Sequence, residues 1–301
     1  MIVRPRPGAL ELWTILRGSI VPRILPQILA IVAYSAVLSF VARVAPGPFR
    51  NLNAAPFTLF GLALSIFLGF RNNASYERWW EARRQWGQLI AEVRGYVRDC
   101  MTLLPQEEAR RSARRAVAFA HALRAQLRRT DPAAVALWLE PGAWAAVRSR
   151  RSLPDAILAD QATEFRELLR RRVLTDNQDW FFAERLQAMT TIQTACERLA
   201  NTPMPFTYAL LLHRTAWLFL VLVPFGLVDT LGLATPIATA ILAYAFFGLD
   251  ALGEELEDPF GTAQNAVPLD ALVRAIEIAA LEGIGAAEVP EPLRPVEFLL
   301  L

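Results

Sequence analysis

The chain has 301 residues, 54% of them apolar and 20% charged, and the formal net charge is only +2. Such a composition argues against a wholly water-soluble protein and fits a membrane protein with a large aqueous part. It also excludes the basic footprint of a nucleic-acid binder, since the arginines are spread along helices rather than gathered on one face.

Every one of the 31 basic residues is an arginine. Arg4, Arg6, Arg17 and Arg23 precede the first charge-poor segment, at 24–42, and no small-residue cleavage site follows, so the pattern is not that of a signal peptide. A second charge-poor segment covers 56–70, and two more lie at about 216–228 and 234–249. Twenty-two of the arginines fall between Arg71 and Arg198, whereas the two short connections at 43–56 and 229–236 carry two and none. By the positive-inside bias, the termini and the large central region are expected in the cytoplasm, giving four spans in the inner (cytoplasmic) membrane. The expected division is 1–23 as a cytosolic N-terminal segment, 24–80 as the first two spans, 81–204 as a cytosolic helical region, 205–253 as spans three and four, and 254–301 as a cytosolic C-terminal segment.

The second span is the most informative. Its apolar part, 56–70, is about 23 Å long at 1.5 Å per residue, short of the ~20 residues that a lipid-exposed span needs. It carries small residues at Gly61, Ala63, Ser65 and Gly69 and runs without a break into Arg71-Asn72-Asn73-Ala74-Ser75-Tyr76-Glu77-Arg78-Trp79-Trp80-Glu81. A short span of this kind suits a protein-surrounded position, the simplest being the wall of a pore. Leu62, Ile66 and Phe70 are spaced i, i+4, i+8 and share one face. Several subunits around an axis would stack that face into apolar rings, a constriction able to gate by dewetting. A packed core helix shows the same spacing.

Trp86, Leu89, Val93, Tyr96, Val97, Cys100 and Leu104 continue with a 3.6-residue period until Pro105. This stripe is too apolar to face water in a monomer, so it is expected to serve assembly. Ile157, Leu158, Phe165 and Leu168 form another stripe, and Phe182, Leu186, Met189, Ile192, Cys196 and Leu199 a third, which leads to a proline-rich turn at 201–205. The stretch 130–154 is expected to be a loop. No alternating pattern competes, so the fold class is all-α.

Other chemistry finds little support. His121 and His213 sit at no metal-ligand spacing with Cys or a carboxylate, and Cys100 and Cys196 fall on apolar faces as buried free thiols. Asp229 and Asp250, at span ends, are expected to reach water. There is no phosphate loop, nucleophile elbow or paired-carboxylate arrangement, so no catalytic residue, metal or cofactor is expected, and the protein is not expected to be an enzyme. Trp79 and Trp80 fit either an interfacial belt or a wedge between subunits, with Arg78 and Glu81 exchanging charge with neighbours.

The run Gly69-Phe70-Arg71-Asn72-Asn73-Ala74-Ser75-Tyr76-Glu77-Arg78-Trp79-Trp80-Glu81 resembles the signature of the bestrophins, especially their bacterial members. Three stretches agree in family order: Cys196-Glu197-Arg198-Leu199-Ala200-Asn201-Thr202-Pro203-Met204-Pro205-Phe206, Leu212-His213-Arg214, and Glu254-Glu255-Leu256-Glu257-Asp258-Pro259-Phe260-Gly261. The resemblance implies a homopentameric ion channel with its axis along the second span. It also implies a narrow neck at Leu62, Ile66 and Phe70, and a second constriction at the cytosolic mouth, matched here to Leu174. Vertebrate members follow Pro-Phe-Gly with an acidic string that helps clasp calcium. Here Gly261 is followed by Thr262, Ala263, Gln264, Asn265 and Ala266, so calcium gating is not expected. The neck rings carry no charge, and on the bacterial likeness monovalent cations are the expected permeant ions. The alternatives are a chloride or other anion channel of the same fold and a non-conducting membrane scaffold. The expected partners are further copies of the chain, the lipid bilayer and the permeant ion.

Overall fold

Forty-nine residues without an interior proline, bounded by Pro56 in the first turn and Pro105 beyond the last, form one uninterrupted helix, α3, Ala55–Leu103. In this computed structural model the described residues are 1–5, 7, 8, 10–49 and 53–301, and all regular elements among them are helices. In chain order they are α1 (Glu11–Thr14), α2 (Val21–Val44), α3, α4 (Gln106–Arg128), α5 (Pro141–Val147), α6 (Leu153–Arg170), α7 (Asp176–Asn201), α8 (Phe206–Leu231), α9 (Thr235–Glu257) and α10 (Leu269–Gly283). The all-α expectation holds. Arg6 and Arg50, which entered the charge-bias argument, lie outside the described residues.

The described chain divides into two compact units. One comprises 4–79 and 203–258, the other 1–3, 80–202 and 259–301, and α3 contributes to both.

In the first unit α2, α8 and α9 pack on one another around Ile24, Ile31, Leu212, Ala216, Phe219, Leu220, Phe246 and Phe247, joined by Leu64 and Leu68 of α3. Phe219 meets Phe246 and Phe60 edge-on, at 4.9 and 5.8 Å. By length and composition, three helical runs are long and apolar enough to cross a membrane: Val21–Val44, Ala55–Leu103 and Phe206–Glu257. The third is divided into α8 and α9 by the turn Gly232–Ala234, where Gly232 takes a φ of +53° that suits glycine.

In the second unit α4 packs on α6 and α10, and α6 on α7. Tyr96 of α3, Phe165 of α6 and Phe182 of α7 form an aromatic triad, with Phe165 and Phe182 stacked at 4.5 Å. Thr175 starts α7 with a reciprocal capping box through Gln178. Both cysteines are buried, and burial pushes the thiols of Cys100 and Cys196 up to about 12.

Three expectations need correcting. The stripe from Trp86 to Cys100 is covered by the chain's own helices, with Trp86, Leu89, Val93 and Cys100 all fully buried, so it does not supply an assembly surface. The stretch 130–154 is not simply a loop: it holds a 3-10 helix, Ala133–Leu137, and α5, whose Pro141 sits at a helix start where a proline is tolerated. Glu81 pairs within its own chain, with Arg84 and with Gln85 at 2.7 Å.

Candidate functional site

The upper part of α3 has two unlike faces. Gly61, Leu64, Leu68, Arg71 and Ser75 follow one another at three- and four-residue steps and are buried. Gly61 is small for a packing reason: a Cβ there would lie 2.9 Å from the ring of Phe219. Gly69 has open space instead. Leu62, Ile66 and Phe70 lie off this seam and are 60%, 50% and 64% exposed in the single chain. The structure thus brings the three together as an unpartnered apolar row on one helix, beside a seam that is closed.

Leu174 does not join them. It lies in the turn between α6 and α7, where its N–H donates to the Leu168 carbonyl, and it is 3% exposed. A side chain enclosed by its own chain lines no opening, so the expectation that Leu174 forms a cytosolic ring is not carried by this conformation.

Directly after Phe70 the buried seam turns polar. Arg71, with a side chain 4% exposed, donates through Nη1 to Asp250 Oδ1 and reaches Glu257 Oε2 with Nη2 at 3.8 Å. The other oxygen of Asp250 takes His213 Nδ1 at 2.7 Å. Asn72 lies against Gly253, where any Cβ would collide with its amide oxygen. Glu257 also accepts from the backbone N–H of Met204 at 3.1 Å, and its carbonyl accepts from Arg78 Nε at 3.4 Å. Ser75 donates to the Met204 sulfur at 3.4 Å. Tyr76 stacks on Trp79 at 6.1 Å. Charged groups this deeply placed persist only when paired.

Asp250 was expected to reach water as a boundary residue. It is instead 7% exposed and carries two partners. Asp229, at the end of α8, is exposed as expected. Sequence reasoning missed this cluster because its members come from three helices, Arg71 and Asp250 being 179 positions apart. The available signal was an arginine one step beyond an apolar span, on the same helical seam as Leu64 and Leu68.

The acidic end of α9 is engaged by arginines: Glu254 pairs with Arg23 at 2.7 Å and Glu257 with Arg71. Among the described residues no three His, Cys, Asp or Glu side chains gather as a metal ion would require.

The family model described as bacterial/fungal bestrophin protein matches residues 1–282. The chain belongs to the bacterial bestrophin family. A voltage-dependent anion channel-forming protein of Mesorhizobium japonicum is 45% identical over 99% of this chain and 96% of its own length. A protein of the same name from Escherichia coli K12 is 39% identical over 98% of each. A crystal structure of a bacterial bestrophin homologue from Klebsiella pneumoniae superposes with a TM-score of 0.84 at 37% identity, covering 88% of this chain and all of that one. With its long apolar helices and these relatives, the protein is an integral membrane protein of the ion-channel class rather than an enzyme. The expected cation preference finds no support in these names, which favour the anion alternative.

Proposed function

We propose that this bestrophin is a homopentameric, anion-conducting channel of the inner membrane, with both termini in the cytosol. In this reading α2, the first part of α3, α8 and α9 are the four spans, so that 24–80 and 205–253 lie in the membrane and 81–204 and 254–301 in the cytosol. Five copies of α3 surround the axis, and Leu62, Ile66 and Phe70 form its neck.

The observation that carries the reading is the asymmetry of α3. Leu64 and Leu68 are 2% and 0% exposed, whereas Leu62, Ile66 and Phe70 present half or more of their surface to no partner in the chain. In a closed ring with a head-to-tail interface, such a row finds its place at the axis. There it desolvates an ion without offering it a ligand, which makes an apolar gate. The reading rests on the neck alone, because Leu174, which the resemblance matches to a second constriction, is 3% exposed in the single chain.

The sign of the ion rests on the relatives' names, since the neck rings are uncharged and select by no direct pairing. Planar-bilayer recording in a potassium chloride gradient is the test. Reversal close to the chloride equilibrium potential is expected. Reversal near the potassium potential returns the channel to cations, and absence of current in well-folded oligomers leaves a membrane scaffold.

A further inference from the structure

We propose that Asp250 is a positioning residue for the neck: it holds Arg71, the residue that follows Phe70, and His213 controls that hold according to its protonation. The proposal rests on the neck reading above and deepens it by naming what regulates the gate.

Arg71 has two carboxylates within reach, held unequally. Asp250 takes its Nη1 directly, while Glu257 stands at 3.8 Å from Nη2. The Nε of Arg71 and both polar atoms of the Asn72 side chain are buried and make no hydrogen bond. Nη1 also reaches the Asp250 carbonyl at 3.5 Å, and an arginine with one tight acceptor, two loose ones and unpaired polar atoms beside it has a second arrangement available.

His213 chooses between the two. Its Nδ1 lies on the oxygen of Asp250 that Arg71 does not take, and its side chain, near the start of α8, is 48% exposed in the single chain. The charged groups on the elements around it are Asp250, Glu254 and Glu257 of α9, Arg71 and Arg78 of α3, Arg23 of α2 and its own neighbour Arg214. Only Asp250 touches the imidazole within ion-pair distance among the described residues. With a neutral imidazole, Arg71 is the sole cation on Asp250. Once protonated, His213 becomes a second cation on the same carboxylate, repels Arg71 across it and competes for its charge. Arg71 is then released toward Glu257. Because Arg71 is covalently next to Phe70, its displacement moves the lowest neck ring, and the gate opens.

The test is ion flux from liposomes carrying the purified protein, with the same buffer on both sides, at pH 5.5 and 7.5. Wild-type flux should be about fivefold or more higher at pH 5.5, the low end of usual coupling between sites. H213N and D250N should bring the ratio between the two pH values close to unity. H121N, which changes the other histidine, should keep the wild-type ratio. If D250N fails to assemble, the half-exposed His213 carries the test through H213N. A flat or falling wild-type profile, or a pH step that survives in H213N, overturns the proposal. Flux that is present but insensitive to pH leaves the channel reading standing, whereas no flux at either pH overturns both.

Discussion

Arg185 of α7 closes on Asp99 of α3 with two nitrogens, Nε at 3.0 Å and Nη2 at 2.9 Å from the same carboxylate oxygen. Glu92 takes Nη1 at 3.2 Å, the ring of Phe181 lies 5.2 Å beneath the guanidinium, and Gly95 leaves the flat room that the group occupies. Replacing Arg185 with alanine strands two carboxylates that are themselves mostly enclosed. The expected loss is about 1.5–3 kcal/mol, the usual worth of hydrogen bonds to charged groups. R185K should recover only part of it, because an ammonium cannot reproduce the fork. Thermal unfolding of the detergent-solubilised protein measures both, and equal midpoints for R185A and wild type would refute the assignment.

The neck makes a separate prediction. Replacing Leu62, Ile66 and Phe70 together with alanine removes the apolar rings and leaves the buried seam at Leu64 and Leu68 untouched. Flux through reconstituted protein should rise strongly, since a wider constriction keeps more of an ion's water. Unchanged flux in intact oligomers would move the gate elsewhere.

Assembly is checked by native mass measurement. Trp180 and Leu137, exposed at 69% and 73% in the single chain, leave apolar surface for other subunits to cover. A single discrete oligomer of five subunits is expected, and a stable monomer would contradict the ring.

The thiols give a pH prediction. Burial raises Cys100 and Cys196 to about 12, against an ordinary thiol value of about 8.5 in an unfolded chain. A group whose native value is raised lends stability that is complete below the unfolded value and is lost as pH climbs through the native one. Stability should therefore fall progressively from about pH 8.5 toward 12, and C100A or C196A should lessen its own share of that slope. Alkylation of either thiol in the native protein should be slow until unfolding begins. Rapid labelling at pH 8 would show that the sites open.

Calcium should have no effect. Glu254 and Glu257 at the end of α9 are engaged by Arg23 and Arg71, and no acidic string follows Gly261. Flux should be the same in chelator and in millimolar calcium, and a steep dependence would mean that Glu254–Asp258 is remodelled to bind the ion.

Much of the helical framework was legible because a 3.6-residue period reports which face is covered. Phe182, Leu186, Met189, Ile192 and Cys196 are all buried as their spacing required. The period does not say who does the covering. The stripe at Trp86 was therefore assigned to neighbouring subunits when α6 and α7 of the same chain supply its aromatic partners. Helix α10 is not among the expected elements of the C-terminal segment 254–301, although its buried Leu272, Val273, Ile276 and Ala280 carry the same signal. The burial of Asp250 was illegible for a different reason. Its fate depends on Arg71 and His213, which only tertiary folding brings to it.

The exclusive use of arginine has one more consequence once the histidines are placed. A guanidinium keeps its proton at any pH a cell experiences, so the chain's cationic side chains cannot take up or give up charge near neutrality, apart from two imidazoles. Both imidazoles rest on carboxylates borne by other helices, His121 on Glu277 at 2.6 Å and His213 on Asp250 at 2.7 Å. The chain's two imidazoles thus each sit at a joint between helices, α4 with α10 and α8 with α9.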